Sequence, residues 1–204
     1  MKRSIFGLFI ILCLLCSASL GLAATGQGRL DLDKLLAQLR DYRVSNDAKL
    51  ALLDRAKTDA AAKEYIAERL PALLESYGGG KDLRENGAWG DAAQLAGELK
   101  VAAAVPILCR RIDVATNLLG GGNFTYNFFN RAAVQALIRI GPPAVPAVIK
   151  VLDSGSSLQR QEAAHVLAGI GTDGAWRALE EHLQTETDPQ VRRRIEAELN
   201  QRRR

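Results

Sequence analysis

Between Asn130 and Leu152 the sequence NRAAVQALIRIGPPAVPAVIKVL places Ala133, Val134, Leu137, Ile138 and Gly141 at helical spacing, with Arg131, Gln135 and Arg139 between them. That pattern predicts an amphipathic helix with one apolar stripe. Gly141 supplies its stop, and Pro142 and Pro143 suit the first turn of a second helix, where a missing N–H forfeits no intrahelical bond. Val145, Val148, Ile149 and Leu152 give this second helix a stripe of its own. Two short helices around a Gly-Pro corner cannot bury both stripes alone, so the unit needs neighbours of its own kind.

The chain supplies them. A shift of thirty residues lays Ala133, Leu137, Ile140 and Gly141 over Ala163, Leu167, Ile170 and Gly171, each followed by another apolar helix. That period lies within the helical-repeat range. A partial copy begins at Val191, where Ile195 and Leu199 take the places of Ala163 and Leu167, and no second helix follows. A lone charged helix at the end of an array has the character of a cap. Upstream, Ala104-Val105-Pro106 matches Ala144-Val145-Pro146, and Ala92, Ala93, Leu95, Ala96 and Leu99 form the preceding helix, so residues 88–112 make a further pair.

A helix ending in Ile-Gly, followed by Ala-Val-Pro opening a second helix that ends in Leu, resembles the short HEAT repeats of phycobilisome-lyase-type proteins. The resemblance covers residues 88–204 and is clearest over 129–184. It implies an all-α fold, a right-handed α-solenoid of HEAT-like helix pairs used for binding, and it carries over no catalytic residue and no cofactor. The chain departs from it in two connections between pairs that are longer than such repeats usually have.

Residues 1–23 carry Lys2 and Arg3, an apolar run from Ile5 to Leu15, and then Ser17, Ala18, Ser19, Gly21 and Ala23. The order basic, apolar, small is that of a secretory signal, and it places the mature start near Ala24. The run from Ile5 to Leu22 also has the length of a retained anchor. A lipoprotein reading through Cys16 is disfavoured by the bulk of Leu14 and Leu15. Loss of the signal takes two of the three cysteines and leaves Cys109, so no disulfide framework forms within one chain. It also lowers the net charge from +4 by the two positive charges of Lys2 and Arg3. The 48% hydrophobic content, rich in alanine, favours close-packed helices over a sheet.

Residues 24–87 read as N-terminal helices of the same solenoid. Leu32, Leu35, Leu36 and Leu39 share a stripe over 31–42. Ser45, Asn46 and Asp47 offer a cap before the next helix, and Thr58 or Asp59 another before AAAKEYIAERL. Pro71 predicts a kink or a helix end near Leu70.

The long connections are Gly78 to Gly90, GGGKDLRENGAWG, and Asp113 to Phe128, which contains LLGGGNFTYNF. Each follows a second helix and precedes a first helix, so both should leave the same rim of a solenoid. Phe124, Phe128 and Phe129, all the phenylalanines of the mature chain, sit with Tyr126 in one six-residue window, and Trp89 lies in the other connection. Aromatic side chains give large contact area at little entropic cost and concentrate at binding hot spots. Asn123 and Asn127 add directed hydrogen bonds. The expected partner-binding residues are therefore Trp89, Asn123, Phe124, Tyr126, Asn127 and Phe128. The competing reading folds these aromatics back against the next helix, Phe129 above all. Neither GGGKD nor GGGNF has phosphate-loop spacing or a preceding strand.

Other candidates for chemistry are sparse. His165 and His182 lack ligand spacing and read as surface residues on a polar flank and near a helix end. Cys109, among Val105, Leu108 and Ile112, reads as a small buried hydrophobe rather than a nucleophile. No serine or cysteine sits in a nucleophile elbow, so the chain reads as a binding protein rather than an enzyme. The tail holds Arg192, Arg193, Arg194, Arg202, Arg203 and Arg204. These complement the dipole of a last helix, and the alternative is attraction to an anionic envelope surface. Export argues against nucleic acid. The expectation is a periplasmic or envelope scaffold or adaptor for a protein partner. Lyase-like or chaperone-like handling of a prosthetic group and a structural envelope role are the alternatives.

Overall fold

A computed structural model describes residues 26–78, 83–114 and 131–203, and every regular element among them is helical. In chain order these are α1 (Gly26–Gln38), α2 (Ser45–Thr58), α3 (Ala60–Glu75), α4 (Leu83–Glu98), α5 (Val105–Arg110), α6 (Ala132–Ile140), α7 (Val145–Ser154), α8 (Ser157–Ile170), α9 (Asp173–Thr185) and α10 (Pro189–Arg202). Short 3-10 turns at Ala102–Ala104 and Pro142–Ala144 lead into α5 and α7.

The helices form two layers. α2, α4, α6, α8 and α10 stack in one, and α3, α5, α7 and α9 in the other, each against its predecessor. α1 closes the N-terminal end on α2 and α3. Both stacks run parallel within themselves: Arg139 near the end of α6 pairs with Glu98 at the end of α4 (3.2 Å), and Arg110 at the end of α5 pairs with Glu75 at the end of α3. Between layers, each second-layer helix packs on the first-layer helix that follows it, α3 on α4, α5 on α6, α7 on α8 and α9 on α10. A helix pair thus buries its apolar face against the next pair, which is why one pair alone has nothing to fold on.

The repeated positions form the core. Ala133, Leu137, Ala163, Leu167 and Ile195 are fully buried, and Leu199 nearly so. Where small residues meet, backbones approach closely: a Cβ placed on Gly97 of α4 would lie 2.7 Å from the Ala136 Cα of α6. Gly141 ends α6 at φ 79°, a value that favours glycine, and the chain turns by 112° between Ala132–Ile140 and Pro142–Ser154. Asp59 caps α3 through the Ala62 N–H (3.1 Å), as its sequence suggests.

Several N-terminal expectations are corrected. The first helix spans Gly26–Gln38 rather than 31–42, and Leu39 is buried just beyond its end. No side chain caps α2; Ser45 lies inside it and its hydroxyl donates to Asp91 on α4 (2.6 Å). Pro71 does not end α3, which continues to Glu75 with Leu70 and Leu74 both buried. The stretch to Gly90 is not a loop either, because α4 begins at Leu83.

Candidate functional site

Among the described residues, most of the buried polar groups lie toward the rim where second-layer helices end and first-layer helices begin, with Glu198 of α10 an exception. Arg111, just past α5, donates from Nη2 to Asn86 Oδ1 in the first turn of α4 (3.1 Å) and lays its guanidinium 4.4 Å from the Trp89 ring centre. Gln159 in the first turn of α8 reaches Asp113 (Nε2 to Oδ1, 3.5 Å). Arg131, immediately before α6, sets Nη1 2.7 Å from Glu162 Oε1 on α8, with side-chain exposures of 5% and 0%. Burial pushes the Glu162 carboxyl above the usual carboxylate range, and the nearby Arg131, Arg194 and His165 counter only part of that rise. Further along the same layer, Lys49 of α2 donates to Asp91 (2.8 Å) and Gln94 (2.9 Å) of α4.

The contacts at Asp113 and Arg131 hold both ends of the long connection against α8. Asn123, Phe124, Tyr126, Asn127 and Phe128, the expected contact residues within it, lie outside the described residues, as does Phe129. Trp89, expected beside them at a surface, is not exposed. It is fully buried inside α4 beneath Arg111, because Ala88, Ala92, Ala93, Leu95 and Ala96 bury that helix on nearly every side and carry Trp89 in with it. The two connections do leave the same rim, as the Arg110–Glu75 and Arg111–Asn86 contacts require. Only the second is long.

The histidines are also less exposed than the sequence suggests. His165 Nδ1 lies 2.9 Å from Glu198 Oε1 on α10, and His182 sits between Asp153 of α7 (3.3 Å) and Glu186 (2.9 Å). Both tie helices together, His182 from near the end of α9 as expected but only 12% exposed, and His165 from a flank still 30% exposed. Cys109 is buried as expected, and burial pushes its thiol up to about 11, away from nucleophilic use. Among the described residues no three His, Cys, Asp or Glu side chains gather into a metal set.

Part of the arginine tail is paired within the fold. Arg192 donates to the carbonyls of Leu183 and Glu186 (both 2.9 Å), closing the end of α9. Arg194 pairs with Glu198 (3.1 Å), and Arg202 lies between Asp173 (3.8 Å), Glu180 (3.7 Å) and the Trp176 ring. Arg193 and Arg203 are exposed, and Arg204 lies outside the described residues. α10 packs on α8 and α9, so Arg192 and Arg202 face acceptors on α9 and the turn after it, while Arg194 pairs within α10 itself.

The polar network between repeats is what sequence reasoning missed. One signal was present: the thirty-residue shift lays Glu162 over Ala132, a carboxylate in a position the pattern reserves for small apolar residues.

Helix couples stacked in two parallel layers over one continuous interior define an α-helical repeat protein. Residues 129–200 match the family model for HEAT repeats. No curated protein and no solved structure matches the chain.

Proposed function

We propose that this chain is an exported scaffold or adaptor that holds a protein partner in the periplasm or at the cell envelope. In this reading the array is a right-handed superhelix of short HEAT-like pairs of the phycobilisome-lyase type, and it binds rather than catalyses. The contact residues are Asn123, Phe124, Tyr126, Asn127 and Phe128. The observation that carries the reading is the anchoring at Asp113 and Arg131. A segment dense in aromatics begins and ends at fixed points on one rim, so it can present them without disturbing the stack. Helical repeat arrays serve mainly as binding surfaces, and the basic, apolar, small order of residues 1–23 supports export.

The test is replacement of Phe124, Tyr126 and Phe128 together by alanine in protein recovered from the native envelope with crosslinking. The expected result is loss of a specific co-purifying protein with the melting temperature nearly unchanged. Undiminished co-purification would remove the segment from the contact. A large drop in melting temperature would mean that its aromatics belong to the core. Fractionation of the cell, with and without a high-salt wash, tests the location.

A further inference from the structure

Among the described residues, Arg69, Arg131, Arg160, Arg192 and Arg194 are buried or half-buried, and each has a carboxylate oxygen at 2.7–3.8 Å. Arg111 is half-buried too, yet it faces a neutral group: its Nη2 donates to the amide oxygen of Asn86 (3.1 Å). A guanidinium carries five N–H donors in a fixed fork, so most of this one is unspent. The acids around it are committed elsewhere. Glu75 pairs with Arg110, Asp113 accepts from Gln159 of α8, and Glu85 accepts the Gly78 N–H. Burial pulls the Arg111 guanidinium below its ordinary value, and the charge of Glu85 offsets that only in part.

Trp89 fixes the plane of the fork. Its ring centre lies 4.4 Å from the guanidinium carbon, and the ring is fully buried in α4, so the charge is stacked on a surface that cannot swing away. The Trp89 indole N–H is itself buried without an acceptor. Donors thus outnumber acceptors in this cluster, and a fold that satisfies its other half-buried arginines has left this one open. The chain has little of its own to bring. Residues 115–130, which follow Arg111 along the sequence, contain no Asp or Glu, and Asp82 is the one acid in the stretch 79–82 before α4.

We propose that Arg111, laid flat on Trp89, is the receptor for an acidic side chain, Asp or Glu, of the protein partner. The carboxylate takes the unspent edge of the fork through paired hydrogen bonds, as Glu186 takes Arg160 within the array (2.9 and 3.1 Å). One guanidinium balances one carboxylate, whereas a phosphate dianion would bring a second charge up against Glu85. Stacked arginine and tryptophan are also the residue types that concentrate binding energy at interfaces. The inference rests on the reading that the array holds a protein partner, and it names the chemistry which that partner must bring.

NMR of the full-length protein at about pH 7, where peptide carboxylates are ionised, follows the Arg111 Nε–H and the Trp89 indole N–H. Arg111→Gln identifies the first signal, and Trp176→Phe, which leaves one indole, identifies the second. The probes are a capped Gly-Glu-Gly peptide, the same peptide with Gln for Glu, and a Gly-Gly-Gly peptide whose only charge is its free carboxyl end, all at millimolar concentration and constant ionic strength. The Glu peptide should shift both signals in proportion to occupancy and the Gln peptide neither. Arg111→Lys, which keeps the charge and loses the fork, should weaken binding several-fold, and Arg111→Gln should abolish the shift at Trp89. Equal shifts from the Gln peptide, tighter binding of the free carboxyl end or of inorganic phosphate, or a Trp89 shift that survives Arg111→Gln would overturn the proposal. So would a several-fold gain in affinity on Asp82→Asn, since the chain's own acid would then be the occupant. If Arg111→Gln protein fails to fold, Arg111→Lys and the Glu–Gln peptide comparison still decide. Absence of any crosslinked protein from the unaltered chain counts against the partner reading, whereas a failed peptide titration counts against Arg111.

Discussion

Glu162 shows how a single misplaced residue type reports an interaction between repeats. It occupies the alanine position of its repeat, is fully buried, and meets Arg131, which is itself nearly buried, at 2.7 Å. Taking two charges out of water is costly, and their attraction returns about that cost only while both are present. Removing one is therefore worse than replacing both. Arg131→Met should lower stability by about 3 kcal/mol, the low end for a broken buried pair, because Arg194 and His165 also face the carboxylate. Arg131→Met combined with Glu162→Leu should recover most of that loss. Urea unfolding of the two single variants and the double variant gives the comparison. A double variant no better than Arg131→Met alone would show that the pair is not the unit that matters.

Between elements, the distance of closest approach is set by small residues. Gly97 and Ala136 bring α4 and α6 to backbone contact, and the clashing atom is a Cα that cannot rotate away. In an open helix Gly→Ala would gain about 1 kcal/mol from propensity. Here the added methyl must push two helices apart, so Gly97→Ala should destabilise by about 1–3 kcal/mol, measurable by thermal or denaturant melting. A stabilised variant would contradict the close packing. The same crowding explains what could be read in advance. α6 through α9 were legible because each shows one apolar stripe, with turn residues at Gly141 and Gly171 marking the corners. The first half of α4 was not, since a helix buried nearly all round has no polar face to alternate with, and Gly87 and Gly90 make that half look like a loop; its second half was read through Ala92, Ala93, Leu95 and Ala96. Trp89 was misplaced for that reason. The aromatic segment was legible as composition only, because periodicity says nothing about which way an irregular stretch faces. Of the two readings of Pro71, the helix end fails, because burial of Leu70 and Leu74 outweighs one lost hydrogen bond.

For the molecule as a whole, stability in a stacked array comes from neighbour contacts, so the ends decide whether the interior stays dry. α10 is the last helix among the described residues, and it does more than cover. Val191, Ile195 and Leu199 bury against the stack, Asp188 caps the helix, Arg192 takes the last carbonyls of α9, and Glu198 receives His165. Burying three aliphatic side chains at about 1.5–3 kcal/mol each amounts to roughly 5–9 kcal/mol. The net stability of a whole domain is only about 5–15 kcal/mol. Deleting residues 188–204 should therefore do more than trim an edge: it exposes the α8 face and leaves the remaining pairs without a cooperative melting transition. Circular dichroism melting and gel filtration measure both effects. Replacing the exposed Arg193 and Arg203 by glutamine, in contrast, should change stability by no more than about 0.5 kcal/mol. A truncated chain that still melts in one sharp step at the original temperature would mean that α10 is an appendage. The contacts of α8 and α9 with it would then contribute nothing to the array, and the neighbour-by-neighbour account of its stability would fail there.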